Sequence, residues 1–236
     1  MLSRRSFLLT TGGALAAVSL RAQVSNPMPT SLDHILLGCR DLDEGIAFVQ
    51  RQTGVRAAFG GVHPGRGTQN ALLSLGEKHY LEIIAPDPQQ PDSQNPRALS
   101  LRKLSEPRIV TWAVHSADLA AVAKKLREAG IASQGPTPGS RKRPDGRLLQ
   151  WQTLDIQNDA SGLLPFFIQW SPDSPHPAID APKGCRLLRF ELVSPDSDSL
   201  AKTVALLSLD VTVLKGEESQ LRSTVAGPKG QMNLSS

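Results

Sequence analysis

The chain has 236 residues, of which 39% are hydrophobic and 20% charged, and its formal net charge is +4. This composition is typical of a folded globular chain and excludes wholesale disorder, collagen and coiled coil. No run of about 18 or more apolar residues occurs, so no segment is predicted to span a bilayer. Two cysteines, Cys39 and Cys185, are too few for a disulfide-dense scaffold or a cysteine-rich zinc site.

Residues 1–22 have the pattern of an export signal. Arg4 and Arg5 precede an apolar, small-residue stretch that runs from Phe7 to Leu20 and is followed by Arg21 and Ala22. A basic start, a short apolar segment and a small-residue exit are typical of a signal peptide, and the paired arginines indicate the twin-arginine type. A membrane anchor is the alternative, and the shortness of the apolar stretch argues against it. We therefore expect a periplasmic or secreted protein with no stable membrane insertion after signal removal.

Removal of the signal changes the meaning of the net charge. It would take away three arginines and no acidic residue, which leaves 23 basic and 22 acidic residues. A near-neutral chain lacks the clustered positive charge that nucleic acids and anionic membranes select, so we predict no nucleic-acid partner. The basic run at residues 141–143 is flanked by glycine and proline and is predicted to be a solvated hairpin loop. An oxidising compartment would permit a disulfide between Cys39 and Cys185, although the sequence does not require one.

The first predicted structural unit begins with an apolar strand at residues 32–39. Asp41 is placed to cap the following helix and Gly54 to end it. Two further strands, at residues 70–75 and 79–84, are separated by a short turn that is typical of a hairpin.

The second predicted unit repeats this order. Residues 109–114 form a strand, Asp118 caps a helix and Gly130 ends it. Strands at residues 148–154 and 165–170 follow.

A third, shorter unit starts at Cys185, and its first strand is predicted at residues 186–192. Its helix is capped by Asp196 or Asp198, and only short strands, at residues 211–214 and 220–225, have room to follow. Proline-rich stretches separate the three units. The predicted units therefore occupy residues 31–88, 107–172 and 185–236.

Three segments of the first unit resemble a known family. They are Leu32-Asp33-His34, the glycine-rich stretch from Gly60 to Gly76, and Tyr80-Leu81-Glu82. Together they are similar to the glyoxalase-like domain family of the vicinal oxygen chelate superfamily, which includes glyoxalase I, extradiol dioxygenases, epimerases and antibiotic-binding proteins. The resemblance continues more loosely through the rest of the chain. It implies an α+β fold in which paired βαβββ modules curl a mixed sheet around a shared cleft, with a shorter third β-α-β unit.

The resemblance also implies a divalent metal, such as Mn, Zn, Ni or Fe, held by the first and last strands of each module. Side-chain alternation along strands places His34 and Glu82 at these positions in the first module and Gln169 at the last strand of the second. Glu82 is also the expected catalytic base. The remaining position falls on residues that are poor ligands, namely Thr111, or Trp112 or Ala113. Such a set lacks the two histidines and one carboxylate of non-haem iron sites, which disfavours oxygen chemistry.

Each predicted ligand also has a purely structural interpretation. His34 would then be a hydrogen-bonded core histidine, and Gln169 an amide that bonds to backbone. Glu82 is harder to explain in this way, because burying a lone carboxylate is costly unless it is paired, protonated or bound to a cation.

The glycine-rich stretch carries the candidate substrate-binding residues. Arg66 has forked donors that suit a carboxylate or a similar anion, and His63, Thr68 and Asn70 would orient that group. The alternative is that these side chains only tie down an irregular loop. No Gly-Lys-Ser/Thr sequence follows the glycines, so the stretch is not a phosphate-binding P-loop.

Two functions follow from these residues. The first is a metal-dependent lyase or isomerase that acts on a small carbonyl or enediol compound, with the metal on His34 and Glu82. The second is a non-catalytic protein that binds an antibiotic-like small molecule in the same cleft. An aromatic content of 4% predicts little ring stacking in that cleft, and the three tryptophans are predicted to lie in the core. A homodimer is a further expectation.

Overall fold

The computed structural model describes residues 29–236, so the predicted export signal at residues 1–22 lies outside the described residues. The described residues form an eight-stranded mixed sheet and a separate four-stranded sheet. The expected α+β fold, with paired modules that share one curled sheet, is confirmed. Within residues 29–236, no helix has the length and apolar character needed to cross a membrane.

The first module contains one helix and four strands. These are β1 (Leu32–Gly38), α1 (Leu42–Thr53), β2 (Ala58–His63), β3 (Thr68–Ser74) and β4 (Tyr80–Pro86). Asp41 begins α1, because its carboxylate accepts a hydrogen bond of 3.0 Å from the backbone N–H of Glu44. Gly54 ends the helix in the left-handed conformation, with φ at 84°. Strand β2 corrects one expectation, since the glycine-rich stretch begins as a strand and not as an irregular loop.

A short helix, α2 (Pro96–Leu101), connects the first module to the second. The second module consists of β5 (Arg108–His115), α3 (Leu119–Glu128), β6 (Ser133–Lys142), β7 (Leu148–Ile156) and β8 (Phe166–Trp170). Asp118 caps α3 by accepting a hydrogen bond of 2.9 Å from the backbone N–H of Ala121. The two modules therefore begin their helices by the same local interaction.

The two modules join through their first strands. Strand order in the large sheet is β2-β3-β4-β1-β5-β8-β7-β6, with β1 and β5 antiparallel at the centre. At the outer edges, β2 and β6 approach each other: Arg141 of β6 donates a hydrogen bond to the backbone carbonyl of Gly60. A side chain on Gly61 would lie 2.6 Å from the carbonyl oxygen of Lys142, so the close approach requires glycine there. The sheet thus curls until its edges nearly meet.

The third unit covers the face of the large sheet that lies away from the cleft. It follows a short helix, α4 (Pro177–Asp180), and contains β9 (Arg186–Ser194), α5 (Ser197–Leu206), β10 (Thr212–Lys215), β11 (Gln220–Gly227) and β12 (Gly230–Ser235). Asp196, and not Asp198, caps α5 by accepting a hydrogen bond of 3.2 Å from the backbone N–H of Ser199. The rings of Trp112 on β5 and Phe190 on β9 pack with centroids 5.0 Å apart. The main core therefore lies between the two sheets.

Cys39 and Cys185 are buried free thiols in this structure. The disulfide that export would permit is therefore absent between them. Burial, together with the nearby carboxylates of Asp41 and Glu44, raises the pKa of the Cys39 thiol to about 12. A thiol of this kind remains protonated and unreactive at neutral pH.

We expect Trp112→Ala to lower the free energy of unfolding by about 3–5 kcal/mol. The Trp112 ring is fully buried between the two sheets, and its Nε1–H donates a 2.8 Å hydrogen bond to the carbonyl of Leu163. Urea denaturation at neutral pH measures the loss. Leu148→Ala is the control, because that side chain is 52% exposed and its removal should change stability by less than about 0.5 kcal/mol. Equal losses in the two variants would contradict this account of the core.

Candidate functional site

A cleft with a volume of about 450 Å³ lies between the two modules. His34 of β1 and Glu82 of β4 lie on one side, and aromatic side chains of β7 and β8 lie on the other. A volume of this size is within the range of pockets that bind small organic molecules, which is about 300–1,000 Å³. The chemistry of the cleft depends on the charged side chains that line it.

A chain of three ionisable side chains runs from β1 into the cleft. His34 Nδ1 is 2.7 Å from Asp33 Oδ1, and His34 Nε2 is 3.3 Å from Glu82 Oε2. Neighbouring residues of a regular strand point to opposite faces, but β1 is irregular here, because its register against β5 shifts between Leu32 and His34. This irregularity coincides with the contact between the adjacent side chains of Asp33 and His34.

The protonation states of these groups follow from their neighbours. Burial alone would lower the pKa of His34, but hydrogen bonds to Asp33 and Glu82 outweigh it and raise that pKa from 6.5 to about 9. Burial would raise the pKa of Glu82, but the contacts with His34 and other donors outweigh it and lower that pKa to about 2. At neutral pH, His34 is therefore an imidazolium held between two carboxylates.

A second set of hydrogen bonds holds Glu82 from the side of β3. Asn70 Nδ2 donates to Glu82 Oε1 over 2.8 Å and lies 3.3 Å from His63 Nε2, while His63 Nδ1 lies 2.8 Å from Thr68 Oγ1. Burial is the largest cause that lowers the pKa of His63 to about 4. We assign a neutral His63 that accepts from Asn70 and donates from Nδ1 to Thr68. The four residues thus form one continuous buried network.

Glycine at position 60 makes room for this network. A side chain there would lie 2.4 Å from Asn70 Oδ1, which no real contact allows. Glycine at position 60 therefore lets Asn70 reach Glu82, so the glycine-rich stretch has a role in the site.

Three arginines from three different segments line the cleft. Arg66 comes from the turn between β2 and β3, Arg97 from α2, and Arg141 from β6. Arg141 corrects an expectation, because the basic run was predicted to be a solvated loop and yet Arg141 is only 3% exposed. Strand β6 extends to Lys142, and its alternation turns Arg141 inward.

Aromatic rings form a larger part of the cleft than the composition suggests. Tyr80 stacks on His34 with ring centroids 4.5 Å apart, and Trp151 and Trp170 lie 5.5 Å apart in the opposite wall. The prediction that all three tryptophans lie in the core is right for Trp112 and wrong for these two. A low aromatic content sets the number of rings but not their distribution, and here Tyr80, Trp151, Phe166 and Trp170 all line the cleft.

Gln169 does not belong to the site, so its predicted role as a metal ligand is wrong. The residues of β8 that face the cleft are Phe166, Ile168 and Trp170. Gln169 points to the other face, where its Oε1 accepts a 3.0 Å hydrogen bond from the backbone N–H of Leu119 at the start of α3. Gln169 therefore has a structural role, because its amide oxygen accepts a hydrogen bond from a backbone N–H.

Comparison with known proteins identifies the family of this chain. A model of the glyoxalase-like domain matches residues 32–207 of this chain. The chain belongs to the glyoxalase-like domain family. No curated protein matches it.

Comparison with solved structures found several that are similar to this glyoxalase-like protein. A hypothetical protein from Staphylococcus aureus is 18% identical, with a TM-score of 0.60 over 80% of this chain and 87% of that one. Methylmalonyl-CoA epimerase from Mycobacterium tuberculosis is 24% identical, with a TM-score of 0.45 over 64% of this chain and 95% of that one. The Streptomyces coelicolor epimerase, in complex with 2-nitronate-propionyl-CoA, is 22% identical, with a TM-score of 0.45 over 63% of this chain and 99% of that one.

The donors in the cleft of this glyoxalase-like protein do not fit the expected divalent metal. The first module supplies His34 and Glu82, but Ala113, and not Thr111, lies opposite His34 on β5, and Phe166 and Ile168 face the cleft from β8. Within residues 29–236, no group of three or more His, Cys, Asp and Glu side chains could hold a metal ion. Protein metal sites for catalysis use about three protein ligands, and the second module supplies none at these positions.

We expect the free energy of unfolding to fall by about 2 kcal/mol as the pH rises from 6.5 to 8.5. The pKa of His34 is raised to about 9 in the folded protein, so its stabilising contribution is complete below pH 6.5 and is lost as the pH rises through 9. Urea denaturation at several pH values within this window measures the fall. His34→Gln should remove most of it.

His115→Gln is the matched comparison for this pH dependence. The Asp33 carboxylate also raises the pKa of His115, but the His115 side chain is 54% exposed, so its share of the fall should be smaller. A wild-type profile that is flat, or that matches the profile of His34→Gln, would contradict a buried imidazolium at His34.

We expect Gln169→Ala to lower the free energy of unfolding by about 1 kcal/mol, because the first backbone N–H of α3 loses its acceptor. Gln152→Ala is the control, since Gln152 lies opposite Gln169 on β7 and is exposed. Urea denaturation compares the two. A Gln169→Ala protein that kept full stability but lost a bound divalent ion would restore the predicted ligand role.

Proposed function

We propose that this protein is an isomerase or lyase that moves a proton on a small carbonyl or enediol compound bound in the cleft, without a metal centre. The observation that supports it best is the buried chain of Asp33, His34 and Glu82 at the cleft. Three ionised groups are costly to bury, and a simple apolar binding pocket has no need of them. Perturbed acids and bases in a cleft are typical of proton-transfer sites.

The proposed step uses one acid and one base. A carbonyl oxygen that enters the cleft takes the place of Glu82 as the acceptor of the His34 Nε2–H, which stabilises negative charge on that oxygen. Glu82 then loses the partner that does most to lower its pKa, and its carboxylate becomes a stronger base. The proton on the adjacent carbon passes to Glu82. In an isomerase, Glu82 then returns the proton to a carbon of the enediolate. In a lyase, the enediolate electron pair expels a leaving group, and Glu82 gives its proton to that group.

Asp33 and Asn70 position these two groups. Asp33 accepts from His34 Nδ1–H and also from Trp170 Nε1–H over 3.0 Å, so it fixes both the ring orientation and the charge of His34. Asn70 holds Glu82 Oε1, which leaves Oε2 directed at His34. The pair is thus oriented before a ligand enters.

Non-catalytic binding of an antibiotic-like small molecule is the second candidate. Two observations favour it. The pKa of Glu82 is lowered to about 2, which makes it a weak base, and Trp151 and Trp170 supply a flat wall for a ring. The two candidates share the cleft and differ in whether a bound compound exchanges a proton.

Deuterium incorporation from D₂O into a panel of small 2-hydroxy and 2-oxo compounds, followed by NMR, distinguishes these candidates. We expect exchange beside the carbonyl in chelator-treated protein, and a loss of about 100-fold or more in Glu82→Gln. Glu77→Gln, in the exposed turn between β3 and β4, is the control and should exchange at the wild-type rate.

The outcomes of this experiment are decisive in both directions. Binding without exchange for every compound would overturn the enzyme proposal and leave the binding protein. Exchange that chelator abolishes and a divalent ion restores would overturn the proposal that no metal takes part.

We further propose that the protein is exported by a twin-arginine signal at residues 1–22, on the evidence of Arg4 and Arg5 before the apolar stretch. Arg4→Lys combined with Arg5→Lys should keep the protein in the cytoplasm and leave its signal uncleaved, because that route requires the paired arginines. Cell fractionation and the mass of the chain measure this. Export of the double variant at the normal level would contradict the proposal.

A further inference from the structure

The three cleft arginines lack the carboxylate partners that buried arginines usually have. The arginine ion pairs within residues 29–236 are made by Arg143, Arg147 and Arg189, and by none of the three cleft arginines. Buried or half-buried guanidinium groups without an anion are costly, because they give up water without a compensating charge. Such groups are expected where a ligand supplies the missing anion.

The hydrogen bonds of these arginines leave most of their donors unused. Arg66 donates from Nη2 to the carbonyl of Pro138 over 3.4 Å, and Arg141 donates from Nη1 to the carbonyl of Gly60. The Arg97 side chain has no hydrogen-bond partner among the described residues. A guanidinium carries five N–H donors in a planar fork, so each of the three has donors to spare for a ligand in the cleft.

Positive charge exceeds negative charge along the cleft wall. Four cationic side chains line it against two carboxylates, namely Arg66, Arg97, Arg141 and His34 against Glu82 and Asp155. Glu82 is already engaged by His34 and Asn70. The cleft therefore favours an anionic ligand over a neutral one of the same shape.

The arginines and the proton-transfer pair face the same small space. Arg66, Arg97 and Arg141 each act on the charge of His63, and His63 Nε2 lies 3.8 Å from Glu82 Oε1. Arg66 and Arg97 also act on Asp155, and both Arg97 and Arg141 act on Glu82. One small molecule can therefore contact the arginines with one group and the His34–Glu82 pair with another.

We propose that the ligand of this cleft is a small organic oxyanion, with its anionic oxygens on Arg66 and Arg97 and its carbonyl directed at His34. A planar fork of donors suits a carboxylate or a phosphate ester, and the rings of Trp151 and Trp170 suit a flat organic body. The identity of the reacting group rests on the proposed function, whereas the anion site does not depend on turnover.

Calorimetric titration with three probes of similar shape tests the inference: phenylpyruvate, its neutral methyl ester, and phenyl phosphate. We expect at least one of the two anions to bind about tenfold or more tightly than the ester, and its affinity to fall as salt is added. The tighter of the two anions identifies the oxyanion. Equal affinity for all three probes, or no binding of either anion, would overturn the inference.

Variants of the arginines locate the anion. Arg97→Gln and Arg66→Gln should each weaken binding of the anion about tenfold or more and leave binding of the ester unchanged, and Arg97→Lys should recover part of the loss. Arg56→Gln is the matched control, because Arg56 is exposed and bonds to Gln50 on the other side of the module. Thermal unfolding of each variant checks that it is folded. A loss in Arg56→Gln as large as in the other two would overturn the assignment.

This test separates failure of the anion site from failure of the proposed function. Arginine-dependent binding of an anion without deuterium exchange would support the anion site and contradict proton transfer. Deuterium exchange on neutral carbonyl compounds that is unaffected by the arginine variants would support proton transfer and contradict the anion site.

Discussion

The antiparallel pairing of β1 with β5 is the contact on which the rest of the structure depends. It joins two modules of the same order into one sheet and brings His34 to the middle of eight strands. The edges β2 and β6 can then approach only by curling, which creates a concave face with the third unit packed behind it. The cleft, the core and the site therefore all depend on this strand pairing. One face of the joined sheet packs against the third unit and forms the core, and the other face lines the cleft.

The positively charged side chains of the cleft fall into two groups, His34 and the arginines, with different surroundings. His34 is held as an imidazolium by the carboxylates of Asp33 and Glu82, so it can stabilise negative charge on a bound oxygen. Among the described residues, Arg66, Arg97 and Arg141 have no carboxylate within ion-pair distance, so their charge remains available to a ligand. The apolar residues at the metal positions of the second module fit the proposed function, in which His34 and the arginines provide the positive charge that a metal would supply.

Much of the fold could be predicted because its signals are local. Asp41 and Asp118 begin helices by bonding to a backbone N–H three residues ahead, and such caps can be recognised without a tertiary structure. The sequence does not predict strand β2, because its glycines are typical of a loop. It places Gln169 on the wrong face of β8, because the face to which a residue of a five-residue strand points is ambiguous without the neighbouring strands. Runs of charged residues are usually solvated, so the sequence predicts an exposed Arg141. Its hydrogen-bond partner, the carbonyl of Gly60, lies on the opposite edge of the sheet and is visible only in the folded structure.

Local spacing and side-chain type are enough to predict the repeated strand-helix order, the family resemblance, and His34 and Glu82 as candidate site residues. Which side chains share the cleft depends on how distant parts of the chain pack together. Gln169 faces away from the cleft, whereas Arg97, Arg141, Trp151 and Trp170 line it from segments far from His34 along the chain. The physical reason is that strand parity, register and sheet curvature fix where a side chain points, and none of these is a property of a short stretch of sequence.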